Sequence, residues 1–356
     1  MASPAAQRPP PATRDDFAIA IICALPEERD TVEALMTREY RAEGHPPYGK
    51  TPGDDNVYTV GEIGGKPVVL VAPRGMGTTN TRDLARGLKI SFRNILYAFV
   101  VGIAGGAPFL HDKNGWKDSD IHLGDVIVST QVIEYDFGRE YESGFRRRTD
   151  VESVLARAPA EVANFTNLFR RGQSKAFQRI LEKTKADVVR FDRSGTGNNS
   201  YFEHPGPDQD NVYSSGHRHK HRDQEACPMC SQCTEWYHEV CEEALTASCQ
   251  ELSCEPHRSN AVRDTRIHFG RYASGNAVMK SGHRRDLLIK EDGVIGFEME
   301  GAGAWEVFGT IVVKGVVDYA DSHKSKEWRG YPAARAALCA EAMIQEIELP
   351  DRPYVG

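Results

Sequence analysis

Residues 294–321 read VIGFEMEGAGAWEVFGTIVVKGVVDYAD. The stretch opens on a short apolar run and turns at Glu298-Met299-Glu300 into a segment of small residues with helical character. A second, longer apolar run follows and ends in Asp318 and Asp321. Short Val/Ile-rich runs bounded by turn residues are the mark of buried strands. Strand–helix–strand order then implies an α/β fold whose largely parallel sheet is covered on both faces.

The same texture continues outward. Downstream, YPAARAALCAEAMIQEI (331–347) reads as a closing helix, and just upstream IHFGRYASG (267–275) reads as a strand and turn. Residues 16–140 repeat the alternation. DFAIAIICAL, YTVGEI, KPVVLVAP, ILYAFVVGI and LGDVIVSTQVIEY read as strands, with PEERDTVEALMTREY and TTNTRDLARGLKISF as helices. Residues 141–265 differ: two polar-faced helices lie within 150–188, followed by a long polar stretch without core periodicity. The expectation is one three-layer α/β/α domain, 16–348, around a central mixed, largely parallel twisted sheet. A helical and His/Cys-rich insertion at 141–265 interrupts it. Residues 1–15, which include the Pro-rich PPPAT, and 349–356 are expected to be tails.

Composition sets the class. With 44 Lys and Arg against 51 Asp and Glu, the net charge of −7 argues against a nucleic-acid binder, which would be basic. No apolar run approaches the roughly 18 residues of a membrane span, and the first residues lack the apolar core of a signal peptide. A soluble, cytoplasmic protein that contacts neither membrane nor nucleic acid is expected.

Four places carry unusual chemistry. Glu27 and Glu28 follow the first strand, and Arg74-Gly75-Met76-Gly77 follows another. Glu298-Met299-Glu300 marks a strand-to-helix turn, and Asp318 and Asp321 end the most apolar strand. Each has a plain structural reading as well: first-turn acids, a tight turn or a cap. Ligands of α/β sheets bind outside the carboxyl ends of strands, so all four are expected to converge on one pocket.

With AIICALPEERDTV, PRGMGTTN, FVVGIAGGAP, LGDVIVST, YASGNAVMKSG, GFEMEGAGAWEV and DYADSHKSKEWRGYPAARAA in this order, the chain resembles the nucleoside phosphorylase/nucleosidase superfamily. Within it the chain is most similar to a fungal branch, in which such a domain occurs alone or fused to NACHT, ankyrin or tetratricopeptide modules. Its active-site pattern is most similar to that of methylthioadenosine/S-adenosylhomocysteine nucleosidases. The resemblance covers about 16–140 and 266–348. It implies a purine nucleoside substrate and cleavage of the N-glycosidic bond to free base and ribose. Asp318 would be the acid at purine N7, Glu300 would hold the ribose hydroxyls, and Glu28 would activate water. Met299 would pack under the sugar, with Glu298 in support. Ser274, Gly275, Asn276 and Val278 would line the base pocket, and Phe137 would stand in for an aromatic ring absent at Val278.

The resemblance also frames the choice of nucleophile. Where bacterial-type phosphorylases carry an Arg and a Ser for phosphate, this chain has Val100 and Ile103, which favours hydrolysis. Arg74, beside Gly75, is the main objection, since it could hold phosphate or a substrate's 5′-phosphate, as could Lys324, Lys326 and Arg329. A phosphorylase, an ATP or AMP nucleosidase effector and a non-catalytic nucleotide sensor are the alternatives. The superfamily implies a homodimer or larger homo-oligomer. No cofactor is expected for catalysis.

Six of the eight cysteines fall between Cys227 and Cys254, inside the least core-like stretch. Clustering at x2 spacing suits one structural zinc better than a disulfide framework. Cys227, Cys230, Cys233 and Cys254 are the expected ligands, Cys227 and Cys230 being the firmest pair. His217, His219 and His221 lie just upstream.

Overall fold

A computed structural model describes residues 9–142, 144–149, 157–170, 172, 174–186, 191, 201–222, 227–325 and 327–350. The strands are β1 (Ile19–Ile22), β2 (Arg38–Glu39), β3 (Tyr58–Ile63), β4 (Lys66–Val71), β5 (Tyr97–Gly106), β6 (Phe109–Asp112), β7 (Gly115–Asp118) and β8 (Val126–Glu134). They continue with β9 (Gly138–Tyr141), β10 (Gly144–Arg147), β11 (Asn211–Val212), β12 (Arg258–Ser259), β13 (Ile267–Ser274), β14 (Val294–Glu298) and β15 (Thr310–Asp318). The helices are α1 (Pro26–Glu33), α2 (Thr78–Ser91), α3 (Ala160–Arg170), α4 (Lys175–Thr184), α5 (Pro228–Ser231), α6 (Glu242–Thr246), α7 (Gly282–Asp292), α8 (Gly301–Trp305) and α9 (Gly330–Gln345).

The main sheet runs β14-β13-β8-β15-β5-β1-β4-β3-β2. Its centre, β15-β5-β1-β4, is parallel; β2 and β3 join antiparallel at one edge, and β15 meets β8 antiparallel. Strand β1 shows why there are three layers. Its side chains alternate by the period of two: Ile19 and Ile21 enter a core beneath α1, α3, α4 and α9, while Ala20 and Ile22 enter the core beneath α2 and α8. The expected α/β/α architecture and mixed sheet are therefore present.

The sheet is not open along its whole length. β14 also pairs antiparallel with β5, Gly296 opposite Gly106 and Phe297 opposite Gly105. The pairings β5–β15, β15–β8, β8–β13, β13–β14 and β14–β5 thus close a ring. Glycine is required along this seam by its neighbours: a Cβ would strike Ala320 and Asp318 from Gly105, Val316 from Gly106 and the Tyr272 ring from Gly296.

Three helices differ from expectation. Helices α3 and α4, assigned by sequence to the insertion, belong to the main body: Val162, Phe165, Phe169 and Ile180 join the same core as α9. Helix α7 is not assigned from the sequence, because SGHRRDLLIKEDG offers little apolar periodicity. Its N-cap Ser281 accepts the Arg284 N–H, Gly293 ends it in the left-handed region, and Arg285 is fully buried on Tyr319 O and Asp321. Of the expected N-terminal tail, residues 1–8 lie outside the described residues. Residues 9–16 run on the surface, with Tyr48 bonding Pro11 O and Asn94 bonding Asp15 O. Residues 351–356 also lie outside the described residues.

Candidate active site

The carboxyl ends of β1, β5, β14 and β15, with the loops after them, surround a cleft of about 540 Å3. β14 runs against β5, so its end reaches this cleft only because the ring closes.

Glu28 is set by the start of α1. Pro26 takes the first helical position, and the Glu28 carboxylate folds back as a cap: Oε2 accepts the N–H groups of Ala24 and Leu25, both at 2.9 Å. Oε1 accepts the Ile103 N–H at 2.8 Å from the neighbouring strand. Position 102 must be glycine for this, since a Cβ there would lie 1.9 Å from Glu28 Oε1. Burial pushes the Glu28 carboxyl above the usual range. Lys314 opposes that shift, the Glu300 charge adds to it, and the Leu25 and Ile103 amides also oppose it.

Lys314, opposite Gly102 on β15, is the residue that sequence reading passed over. Its Nζ donates to Glu300 Oε2 at 2.8 Å and stands 3.7 Å from Glu28 Oε1, with all three side chains buried. Burial alone would pull the ammonium's pKa down. The carboxylates of Glu28, Glu300 and Glu298 outweigh it and hold the pKa above the ordinary lysine value. The signal was available: a lone Lys within TIVVKGVVD, in a strand apolar on both sides, must find buried partners.

Glu300 is placed by the turn into α8. Glu298 Oε2 accepts the N–H groups of Glu300 and Gly301 at 2.9 and 2.8 Å, and Ser274 Oγ accepts the Ala302 N–H. The small residues of GAGA have a packing reason. A Cβ at Gly303 would come 2.0 Å from the Thr78 carbonyl oxygen, so α8 lies directly on the start of α2. Burial, then the Glu300 charge, raises the Glu298 pKa, with Lys314 opposing.

Asp318 lies across the cleft, where a register shift between Val316 and Asp318 ends the β15–β5 ladder. Its Oδ1 accepts the Ala320 N–H at 2.8 Å, and its Oδ2 accepts from Lys324 Nζ at 2.6 Å. Arg329 pairs with Glu27 at 3.3 Å, and Lys326 lies outside the described residues.

The cleft wall includes Met299 and Val278, along with Met76, Tyr135, Met279 and Phe297. Tyr135 and Phe297 are the rings that face the cleft. Phe137 is half-exposed beneath Arg148 and does not line it. Ser274 and Gly275 are buried outside the cleft lining, and Asn276 is exposed outside it. Asn276 Oδ1 accepts from the Thr78 N–H and hydroxyl, and its own N–H groups bond Asp136. Arg74 is exposed, and neither it nor Gly75 lines the cleft. Val100 is fully buried, and the Ile103 amide that might have met an anion is bonded to Glu28.

The cysteine segment sits against the same cleft, whose lining includes His219, Leu245, Thr246 and Ala247. The four cysteines expected as one ligand set are divided. Cys227 and Cys230 gather with Cys241, whereas Cys254 gathers with His219 and Cys249. Cys233 instead accepts from Arg218 at 2.6 Å.

Residues 18–307 match the family model of the phosphorylase superfamily. The chain belongs to the phosphorylase superfamily. The same fold occurs in two proteins of Helicobacter pylori: a 5′-methylthioadenosine/S-adenosyl homocysteine nucleosidase (14% identity) and a futalosine hydrolase (13%). For each the TM-score is 0.52, covering 93% of this chain and 99% of the other. A nucleotide-binding leucine-rich repeat (NLR)-like protein of Hyaloscypha variabilis is 28% identical over 346 residues. That match takes in 95% of this chain but only 30% of the relative's length. Among the described residues no helix is long and apolar enough to cross a membrane. The superfamily's sheet thus carries, in this member, a buried Glu–Lys–Glu cluster facing an aspartate across one cleft.

Proposed function

We propose that this cleft hydrolyses the N-glycosidic bond of a purine nucleoside, with water rather than phosphate as nucleophile. The observation that carries this reading is Lys314 held between Glu28 and Glu300 at the cleft floor. Two carboxylates against one ammonium leave the floor net negative. Such a floor repels phosphate and favours the positive charge that develops on a sugar as the base departs.

The roles follow from placement. Three backbone amides fix the Glu28 carboxylate, and its remaining lone pair faces Lys314 Nζ. A water seated against both would be oriented by the ammonium and deprotonated by Glu28. Glu300 would bond the ribose hydroxyls while its charge offsets the sugar cation. Asp318 would serve N7 of the base, exchanging its bond to Lys324 for one to the purine. Tyr135, Phe297, Met279 and Met299 supply the apolar surfaces that a base and a ribose require.

A second reading has its own support. Lys280, Lys324 and Arg329 line the outer part of the cleft, where a nucleotide's phosphates would lie. Both readings are tested by incubating the protein with adenosine, inosine, guanosine, AMP and ATP, with and without phosphate, and identifying the sugar product. Free ribose from nucleosides supports the first, ribose 5-phosphate or its polyphosphate the second. An absolute requirement for phosphate would rule out hydrolysis in either form.

A further inference from the structure

Residues 213–222 and 227–257 stand between the two strands of the β11–β12 ladder, and these described residues enclose very little apolar material. Their own core consists of Cys230, Ala244 and Leu252, with a few half-buried neighbours. So small a cluster cannot by itself offset the ordering of some forty residues. We propose that the segment binds two zinc-type ions, and that the second is shared with the loop following Asp318.

The first site is Cys227, Cys230 and Cys241, whose sulfurs lie within 4.8 Å of one another. Cys230 Sγ and Cys241 Sγ are 3.7 Å apart. Two thiolates bound at about 2.3 Å to one tetrahedral zinc stand about 3.75 Å apart. A disulfide would bring them to about 2.05 Å. The second site is His219, Cys249 and Cys254, which form a similar group. His219 Nδ1 lies 2.9 Å from the Ala244 carbonyl oxygen, so it carries the proton and leaves Nε2 as a ligand.

The fourth ligand of the second site comes from outside the segment. His323 groups with Cys254 and His217, so Cys254 joins the two sets. The His323 side chain is only 2% exposed, yet neither ring nitrogen has a hydrogen-bond partner. A buried imidazole is seldom left so, and a bound ion is one way to satisfy it. The ring is held flat against Tyr213 at 3.8 Å, with the Asp321 carboxylate 3.5 Å from Nδ1. That arrangement leaves Nε2 for the ion and the carboxylate behind it to orient the ring. His217 is left out because Arg222 and the Glu255 amide already engage its Nε2. Thiolates mixed with imidazoles select zinc over magnesium or calcium.

The shared site gives the segment a purpose. His219 and residues 245–247 form part of the cleft wall, and His323 adjoins Lys324, the partner of Asp318. One ion would therefore pin the wall to the loop that presents the aspartate's lysine. The catalytic meaning of this link rests on the hydrolase reading, but the metal sites do not, and they are tested without turnover.

The full chain, grown with zinc and purified without chelator, is expected to hold two equivalents by elemental analysis. Cys233→Ser should keep both, and Cys227→Ser/Cys230→Ser should keep one. His323→Gln should yield the second equivalent to a competing chelator at least about tenfold more readily. X-ray absorption on the unaltered protein guards against a variant that does not fold, and should show sulfur together with imidazole around zinc. No metal, a single equivalent, an all-sulfur shell or a His323→Gln protein with unchanged zinc retention would each overturn the proposal.

Discussion

Lys314 concentrates the physics of the site. Three buried carboxyls surround one buried ammonium: they hold Lys314 charged, and Lys314 opposes the upward shifts that burial and the Glu300 charge impose on Glu28 and Glu298. Lys314→Met should cost about 3–5 kcal/mol at neutral pH, the usual consequence of stripping one partner from a buried ion cluster. The sign with pH follows from linkage. Glu28 already binds its proton more tightly in the folded state than in the unfolded state, and losing Lys314 raises its pKa further. The deficit should therefore be smallest in acid, where Glu28 is neutral, and should grow as pH rises through its folded-state pKa. Denaturant melts of both proteins at pH 5 and pH 8 would read this, and an equal deficit at the two would contradict it. Any remaining turnover should have its acid limb displaced toward neutral pH. Asp318→Asn should leave the melting temperature nearly unchanged while lowering kcat about 10²–10⁴-fold on natural purines. Full activity in that variant would remove Asp318 from the chemistry. At this scale the sequence exposed the acids, because carboxyls at strand ends stand out. It showed Lys314 as a lone charge in an apolar strand but not its partners, which depend on the strand opposite, and it misplaced the aromatic wall. Phe137 and Tyr135 are two residues apart, and only the path of the chain after β8 shows which faces the cleft.

Among the elements, α8 shows how packing constrains chemistry. It is five residues long, yet it carries Glu300 at its N-cap and lies directly on α2 through Gly303. Gly303→Ala would drive a methyl group into the Thr78 carbonyl and should lower stability by about 1–3 kcal/mol. Because α8 would have to lift, kcat should fall along with it. Thermal melts and steady-state rates would check this, and a stable Gly303→Ala protein with normal kcat would show that α8 does not position Glu300. Most strands were legible because Val- and Ile-rich runs between glycines leave little choice. The exceptions have physical causes. Helix α7 hides behind His283, Arg284 and Arg285, the last of which is buried through hydrogen bonds rather than apolar character. Helices α3 and α4 each have an apolar side, but a helix's amphipathic pattern does not say which core receives it, so the sequence did not show that they reach the core of α9.

Taken whole, the molecule is one α/β/α body whose sheet curls far enough for β14 to meet β5. Periodicity alone could give the layers but not this closure, which depends on a long-range pairing at glycines. Closure matters because it brings Glu300, just after β14, to Lys314 on β15 and Glu28 beside β5. The matching span, 28% identical, forms only 30% of the length of the NLR-like relative, so in that protein a stretch of this kind is one part of a longer chain. The central claim is that the assembled cluster delivers water to a sugar. Turnover of a purine nucleoside in H2-18O without phosphate, with mass analysis of the sugar trapped by reduction before its oxygen exchanges, tests that most directly. The account predicts free ribose carrying one labelled oxygen at C1, at a rate that added phosphate does not raise. Unlabelled ribose 1-phosphate, formed only when phosphate is supplied, would contradict it.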